Sequence, residues 1–271
     1  MICKTIPLAE GEESAAVRLD AYLADPVREY TRRAVLVIPG GGYGAVCSDR
    51  EGEPIALAFI ARGYNAFVLH YTVGRKKPYP AQLREASAAL AHIRTHAQEY
   101  GIDPGKIFAV GFSAGGHLAG SLGTMWHREE ARADAGFAFG ENRPDGVMLI
   151  YPVVSAVEPY SNRGTIFNLW CTDRPTEEQK KLVSLELAVD ERSAPLFIVH
   201  TSNDQDVDVR NSLVLAAAYR AHGLKFEMHI YPDAPHGAAL GNDITRCGVA
   251  KWSNPRIARW TEDAAAWAEE L

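Results

Sequence analysis

The sequence predicts an α/β fold in which a mostly parallel central sheet is covered by helices on both faces, and three observations carry that expectation. Short apolar runs at 34–38, 107–110 and 195–201 have the length and composition of strands buried on both sides. Other segments, of which 81–100 is the clearest, repeat apolar residues every three or four positions, as a helix with one buried stripe does. Runs and segments alternate along the chain, and parallel strands need such crossovers between them.

In order, residues 3–8 and 17–23 roughly alternate apolar and polar side chains, the pattern of an antiparallel pair with one wet face at the sheet's edge. The run 34–38 ends in Pro39-Gly40-Gly41-Gly42-Tyr43-Gly44, a turn composition. A helix over 54–62 carries Pro54 in its first turn, where a missing N–H costs nothing. The next buried strand is 64–71. In 81–100, Leu83, Ala86, Leu90, Ile93, Ala97 and Tyr100 make one stripe, closed by Gly101. After 107–110 a helix runs to about residue 127, and 147–151 is again a strand.

From 154 to about 192 the periodicity weakens. Pro159, Asn162, Gly164, Trp170, Cys171 and Pro175 interrupt it, and only 177–187 reads as helical, so a small cap inserted into a single domain is expected. Regularity returns with strand 195–201, helix 209–222, strand 225–231 and helix 255–271. Trp252, Trp260 and Trp267 near the end are expected to pack on the sheet, with contact to a second subunit of a homo-oligomer as the alternative. A hydrophobic content of 47% over 271 residues suffices for a sizeable core.

A net charge of −6 argues against nucleic acid, whose phosphates call for a basic face. The basic run Arg75-Lys76-Lys77 reads as a solvated loop. Cys3, Cys47, Cys171 and Cys247 lie far apart without a Cys-x-x-Cys pair, so reduced thiols are expected rather than a zinc site or disulfides. The N-terminus lacks a signal peptide's apolar core and no run of 18 apolar residues occurs, which gives the expectation of a cytoplasmic protein away from membranes.

Chemistry concentrates in four places. Gly111, Ser113 and Gly115 stand at alternate positions between a strand and a helix, where a sharp turn lifts a serine hydroxyl clear and a Cβ on either side would collide. His236, flanked by Pro235 and Gly237, lies in the loop after 225–231, whereas the other eight histidines fall in helical or strand patterns and read as surface or structural groups. The loop after 195–201 offers Asp204, Asp206 and Asp208. Asp208 reads as a helix cap and Asp206 as a solvated carboxylate, while Asp204, first after the strand, stays nearest the sheet edge and is preferred. The order serine, acid, histidine is that of the α/β-hydrolases. Gly41 and Gly42, with Ala114, can offer unobstructed N–H groups to an oxyanion. A dinucleotide loop is disfavoured, because the glycines do not follow Gly-x-Gly-x-x-Gly and the next strand ends in His70-Tyr71 rather than an acid.

These motifs, together with Gly116-His117-Leu118 and His200-x-x-x-Asp204-x-x-Val207, make residues 33–240 similar to the acetyl esterase, or hormone-sensitive-lipase-like, branch of the α/β-hydrolases, close to bacterial acetyl-xylan or feruloyl esterase-like proteins. The resemblance implies Ser113 as nucleophile, Asp204 as acid, His236 as base, and Gly41, Gly42 and Ala114 as oxyanion donors. It implies a serine carboxylesterase acting on a small-molecule or oligosaccharide ester without metal or cofactor. An amidase, peptidase or formamidase, or a non-catalytic binding protein, is the alternative. The chain departs from the pattern at Pro39, where many relatives have a histidine whose hydrogen bond steadies the loop, and at Thr201 and Asp208. Segment 48–54 could meet sugar hydroxyls, or Arg50 and Glu51 could form a local ion pair.

Overall fold

The computed structural model describes residues 1–8, 17–133 and 135–271. The alternating segments at the start pair as expected: β1 (Ile2–Pro7) and β2 (Arg18–Leu23) are antiparallel, and β2 pairs antiparallel with β4 (Asn65–His70). From β4 onward the ladder is parallel through β3 (Arg32–Ile38), β5 (Ile102–Phe112), β6 (Gly146–Ile150), β7 (Leu196–Thr201) and β8 (Phe226–Tyr231). The order across the sheet is β1-β2-β4-β3-β5-β6-β7-β8. Parallel strands place their carboxyl ends on one edge, so the loops after β3, β5, β6, β7 and β8 gather there.

Side chains alternate across the sheet and feed two apolar layers. Ala34, Leu36 and Ile38 join α3 (Ala81–Thr95), α4 (Ala114–Met125) and α9 (Arg210–Ala221) on one face. Val35 and Val37 join α2 (Glu53–Ile60) and α10 (Trp260–Glu269) on the other. Trp260 and Trp267 are buried in that second layer, as the sequence suggested, whereas Trp252 is half-buried outside it and donates its ring N–H to His236 O at 3.1 Å. Helix α2 is preceded by a separate turn of helix, α1 (Ser48–Glu51), and α5 (Glu129–Arg132) follows α4. Among the described residues no helix is long and apolar enough to cross a membrane.

The C-terminal helix, expected from residue 255, begins only at Trp260 after a 3-10 turn at Ile257–Arg259, and two further elements differ from expectation. Helix α3 ends at Thr95 rather than at Tyr100. Beyond it the Ala97 N–H turns to Arg94 O three residues back, Ile102 N–H returns to Ala97 O at 2.8 Å, and His92 stacks on His96 while bonding the Tyr100 hydroxyl. Ala97 and Tyr100 are still buried, so the apolar stripe continues through a turn that periodicity cannot tell from helix. Within 154–192, α7 (Glu177–Leu182) and α8 (Leu185–Ala188) lie where a helix was expected, but α6 (Arg163–Trp170) was not foreseen. Asn162 caps α6 by accepting the Thr165 N–H at 3.1 Å, and Cys171 closes it in a left-handed conformation with φ 55°. The loop holding Arg75 is exposed but not merely solvated: Arg75 bonds Asn168 Oδ1 and pairs with Asp173, tying the loop to α6.

Helix α4 is also anchored by a buried histidine. His117 Nε2–H donates to Val183 O at 2.7 Å, and its Nδ1 accepts from the Tyr43 hydroxyl at 2.8 Å, which joins the loop after β3 to the segment before α8. Both bonds suit the neutral ring, and burial pulls its pKa down to about 4. Between pH 4 and the unfolded value near 6.5 the unfolded chain therefore binds the extra proton. Stability from this group is complete above that window and falls by about 3 kcal/mol as pH drops through it. Urea midpoints from pH 7.5 to 4.5 should decline less steeply in His117→Gln than in the wild type; parallel curves would show that the ring does not titrate this way.

Candidate active site

Strand β5 hands the chain to α4 through Ser113, whose φ is 53° and ψ −117°. That strained corner explains both flanking glycines. A Cβ on Gly111 would lie 2.2 Å from Gly115 O, and one on Gly115 would lie 2.1 Å from Ile38 O, so neither position can hold a side chain. The corner is fixed by backbone bonds: Ser113 N–H donates to Ile150 O, and Ser113 O accepts from His117 and Val153.

Loops after β7 and β8 bring two further groups to this corner. His236 Nε2 lies 2.8 Å from Ser113 Oγ, and His236 Nδ1 lies 2.7 Å from Asp204 Oδ2. The Asp204 side chain is fully buried. Burial alone would push its pKa up, but bonds from His200, His236 and the Val207 N–H outweigh that and hold the carboxyl well below the usual range. An ionised Asp204 accepts, so Nδ1 carries the ring hydrogen and Nε2 is left to accept from Ser113. Asp204 Oδ1 also accepts the N–H groups of Asp206 and Val207, each at 2.9 Å. Of the three candidate acids, then, Asp204 meets His236. Asp208 accepts from the Arg210 backbone and side chain at the start of α9, and Asp206 is one of the residues lining the cleft.

His200, read from the sequence as structural, takes part as well. Its Nδ1 accepts from Ser212 Oγ at 2.7 Å, and its Nε2–H is shared between Val207 O at 2.9 Å and Asp204 Oδ2 at 3.4 Å. The spacing His200-x-x-x-Asp204 across a strand end was the available signal.

The loop after β3 lies against the serine, since a Cβ on Gly40 would be 3.0 Å from Ser113 Cβ. Gly41 and Gly42 have positive φ of 122° and 62°, and among the described residues neither N–H has a hydrogen-bond partner. Ala114 is the first residue of α4, so its N–H has no partner within the helix. From outside, Asn168 of α6 donates to Gly42 O at 2.9 Å, and the Tyr71 hydroxyl donates to Pro39 O at 2.7 Å. Of the alternatives for Arg50 and Glu51, the local ion pair needs correction. Glu51 is buried and points inward, where it accepts from Gly40 N–H and the Tyr151 hydroxyl; the Arg50 guanidinium instead lies 4.5 Å over the Trp252 ring. An ion pair between sequence neighbours is the expectation when adjacency is all that is visible.

An open cleft of about 360 Å³ exposes this arrangement, lined by Gly41, Gly42, Ser113, Thr165, Asn168 and His236 among others. A second cleft of about 620 Å³ shares His236 and Asp206 and continues past Asn203, Gln205 and Lys251. Both clefts thus border the histidine, and the second is lined mainly by polar residues.

A family model described as BD-FAE matches residues 19–219. The chain is 38% identical over 229 residues to an endo-1,4-beta-xylanase B of Butyrivibrio fibrisolvens, covering 83% of this chain and 35% of that protein. It is 27% identical over 215 residues to an acetylxylan esterase of Xylanibacter ruminicola, covering 77% and 42%. The chain thus spans less than half the length of these curated relatives. The crystal structure of an acetyl ester-xyloside bifunctional hydrolase from Caldicellulosiruptor lactoaceticus superposes with a TM-score of 0.84 at 31% identity, covering 98% of this chain and 96% of that one.

Proposed function

The chain belongs to the BD-FAE family and has an α/β-hydrolase fold, and on that premise we propose that it is a serine carboxylesterase that removes short acyl groups, acetyl above all, from carbohydrate hydroxyls. The observation that carries this reading is the unbroken line from Asp204 Oδ2 through the His236 ring to Ser113 Oγ. Ser113 Oγ attacks the ester carbonyl while His236 Nε2 takes its proton, and Asp204 stabilises the imidazolium that forms. The negative oxygen of the tetrahedral intermediate is received by the N–H groups of Gly41, Gly42 and Ala114, each such donor typically worth about 3 to 4 kcal/mol. His236 then protonates the departing alcohol, leaving an acyl group on Ser113. Water, deprotonated by the same imidazole, releases the acid.

The lining of the cleft supports small acyl groups: Gly41, Gly42, Thr165 and Asn168 are short or polar. The second cleft beside His236 suits a polyhydroxylated alcohol half, in keeping with the xylan-directed names of the relatives. With p-nitrophenyl esters, kcat/KM is expected to be at least about tenfold higher for the acetyl than for the octanoyl ester. Acetylated xylo-oligosaccharides should release acetate. Equal rates along the acyl series would overturn the short-acyl assignment, and an absence of acetate release would overturn the carbohydrate assignment.

A further inference from the structure

We propose that Glu51 is a positioning residue that holds the oxyanion loop and the histidine loop in register, acting through Tyr151. The inference rests on the esterase reading above and adds a role that reading does not contain.

Glu51 is 2% exposed, and its two carboxylate oxygens reach two different loops. Oε2 accepts the Gly40 N–H at 2.8 Å, immediately before the two glycines whose N–H groups have no partner among the described residues. Oε1 accepts the Tyr151 hydroxyl at 2.8 Å. Tyr151 follows β6 with φ 40°, its oxygen accepts the Ala239 N–H at 3.0 Å, and its ring meets the His236 ring edge-on with centroids 4.9 Å apart. One carboxylate therefore links the loop after β3, the end of β6 and the segment following His236. Gly40 makes the approach possible, because a Cβ there would stand 2.9 Å from Glu51 Oε2.

The directions of these bonds fix what the side chain must be. Gly40 N–H can only donate, and the Tyr151 oxygen already accepts from Ala239, so its own proton goes to Glu51. Two donors converge on two oxygens and favour the charged form, although burial is the larger effect and leaves the carboxyl above its ordinary pKa. Burying a carboxylate is seldom the most stabilising use of a core position. What it supplies here is placement: oxyanion donors act at 2.7–3.1 Å, and a misplacement of about 1 Å costs on the order of 100-fold in rate. The loop around Pro39 is thus held both from Gly40 and from Tyr71, whose hydroxyl donates to Pro39 O.

The test uses Glu51→Gln, Glu51→Ala and Tyr151→Phe, with the wild type and Ser113→Ala as references. Glutamine keeps an acceptor for Gly40 but turns an NH₂ toward Tyr151, so Glu51→Gln and Tyr151→Phe should lose about 3- to 10-fold in kcat/KM on p-nitrophenyl acetate, and Glu51→Ala about 30- to 100-fold. The loss should fall on kcat, with KM within about twofold. Affinity for an acyl trifluoromethyl ketone, whose adduct with Ser113 places a negative oxygen among the loop N–H groups, should weaken by the same factor as kcat/KM. A purely structural role would lower melting temperature and the folded fraction without moving ketone affinity. Folded variants with kcat within twofold of wild type, or with unchanged ketone affinity, overturn the inference. Should Glu51→Ala not fold, the other two variants decide by the same criteria. A wild type no faster than Ser113→Ala defeats the esterase reading itself, and this inference with it; an active wild type with unaffected variants defeats the inference alone.

Discussion

Ser113→Ala is expected to lower kcat on p-nitrophenyl acetate by about 10⁵- to 10⁶-fold while leaving the fold intact. The substitution removes the attacking oxygen and one hydrogen bond, that to His236 Nε2. The backbone of the corner is held independently, by the Ser113 N–H to Ile150 O and by the bonds that Ser113 O accepts from His117 and Val153. Alanine keeps the same Cβ at the same strained φ, so the melting temperature should be unchanged or slightly raised, as is common when a strained active-site group is simplified. A residual rate above water is expected from the oxyanion donors and substrate binding. A fluorophosphonate probe should label the wild type at Ser113 and leave the variant unlabelled. Retention of more than about one per cent of the wild-type rate, after removal of contaminating esterase, would show that another residue carries the acyl group.

The parts of this molecule that were legible in its sequence are those fixed by local physics. Apolar runs such as 34–38 are buried on both faces of the sheet, and the alternation in 17–23 survives as a strand with buried and half-buried positions in turn. The glycines around Ser113 were legible for the same reason, since their collisions are with backbone that any such corner brings close. What escaped is set by distant partners. Glu51 takes its role from Gly40, 11 positions away, and Tyr151, 100 positions away, and neither relation leaves a trace in residues 48–54. Helix α6 escaped because Gly164 stands in its first turn and its buried face is limited to Thr165, Ile166 and Leu169, too few to establish a period. Yet α6 reaches the glycine loop through Asn168 and the basic loop through its bond to Arg75, so the segment with the weakest pattern borders the cleft.

The choice among Asp204, Asp206 and Asp208 shows how position after a strand becomes chemistry, and it yields the second large effect. Asp204→Asn is expected to lower kcat by about 10⁴-fold, against a change within about threefold for Asp206→Asn. In the asparagine variant Oδ1 can still accept from the Asp206 and Val207 N–H groups, so the loop keeps its course. The new NH₂, however, faces His236 Nδ1 and must donate to it. The ring is then driven to the tautomer with hydrogen on Nε2, which confronts the Ser113 hydroxyl with a donor and cannot take its proton. The NH₂ also meets the Nε2–H of His200, which the carboxylate accepted in part, so the two histidines oppose the substitution from both sides. Because these bonds hold the Asp204 carboxyl below its unfolded value, the stability it contributes is complete above the unfolded carboxylate range near pH 4 and is lost as pH falls below it. Asp204→Asn should therefore flatten the acid end of the stability curve as well as slow turnover. A variant pair in which Asp206→Asn suffers the larger rate loss would mean that the loop rearranges to present the other carboxylate during turnover, and the assignment of the acid would move with it.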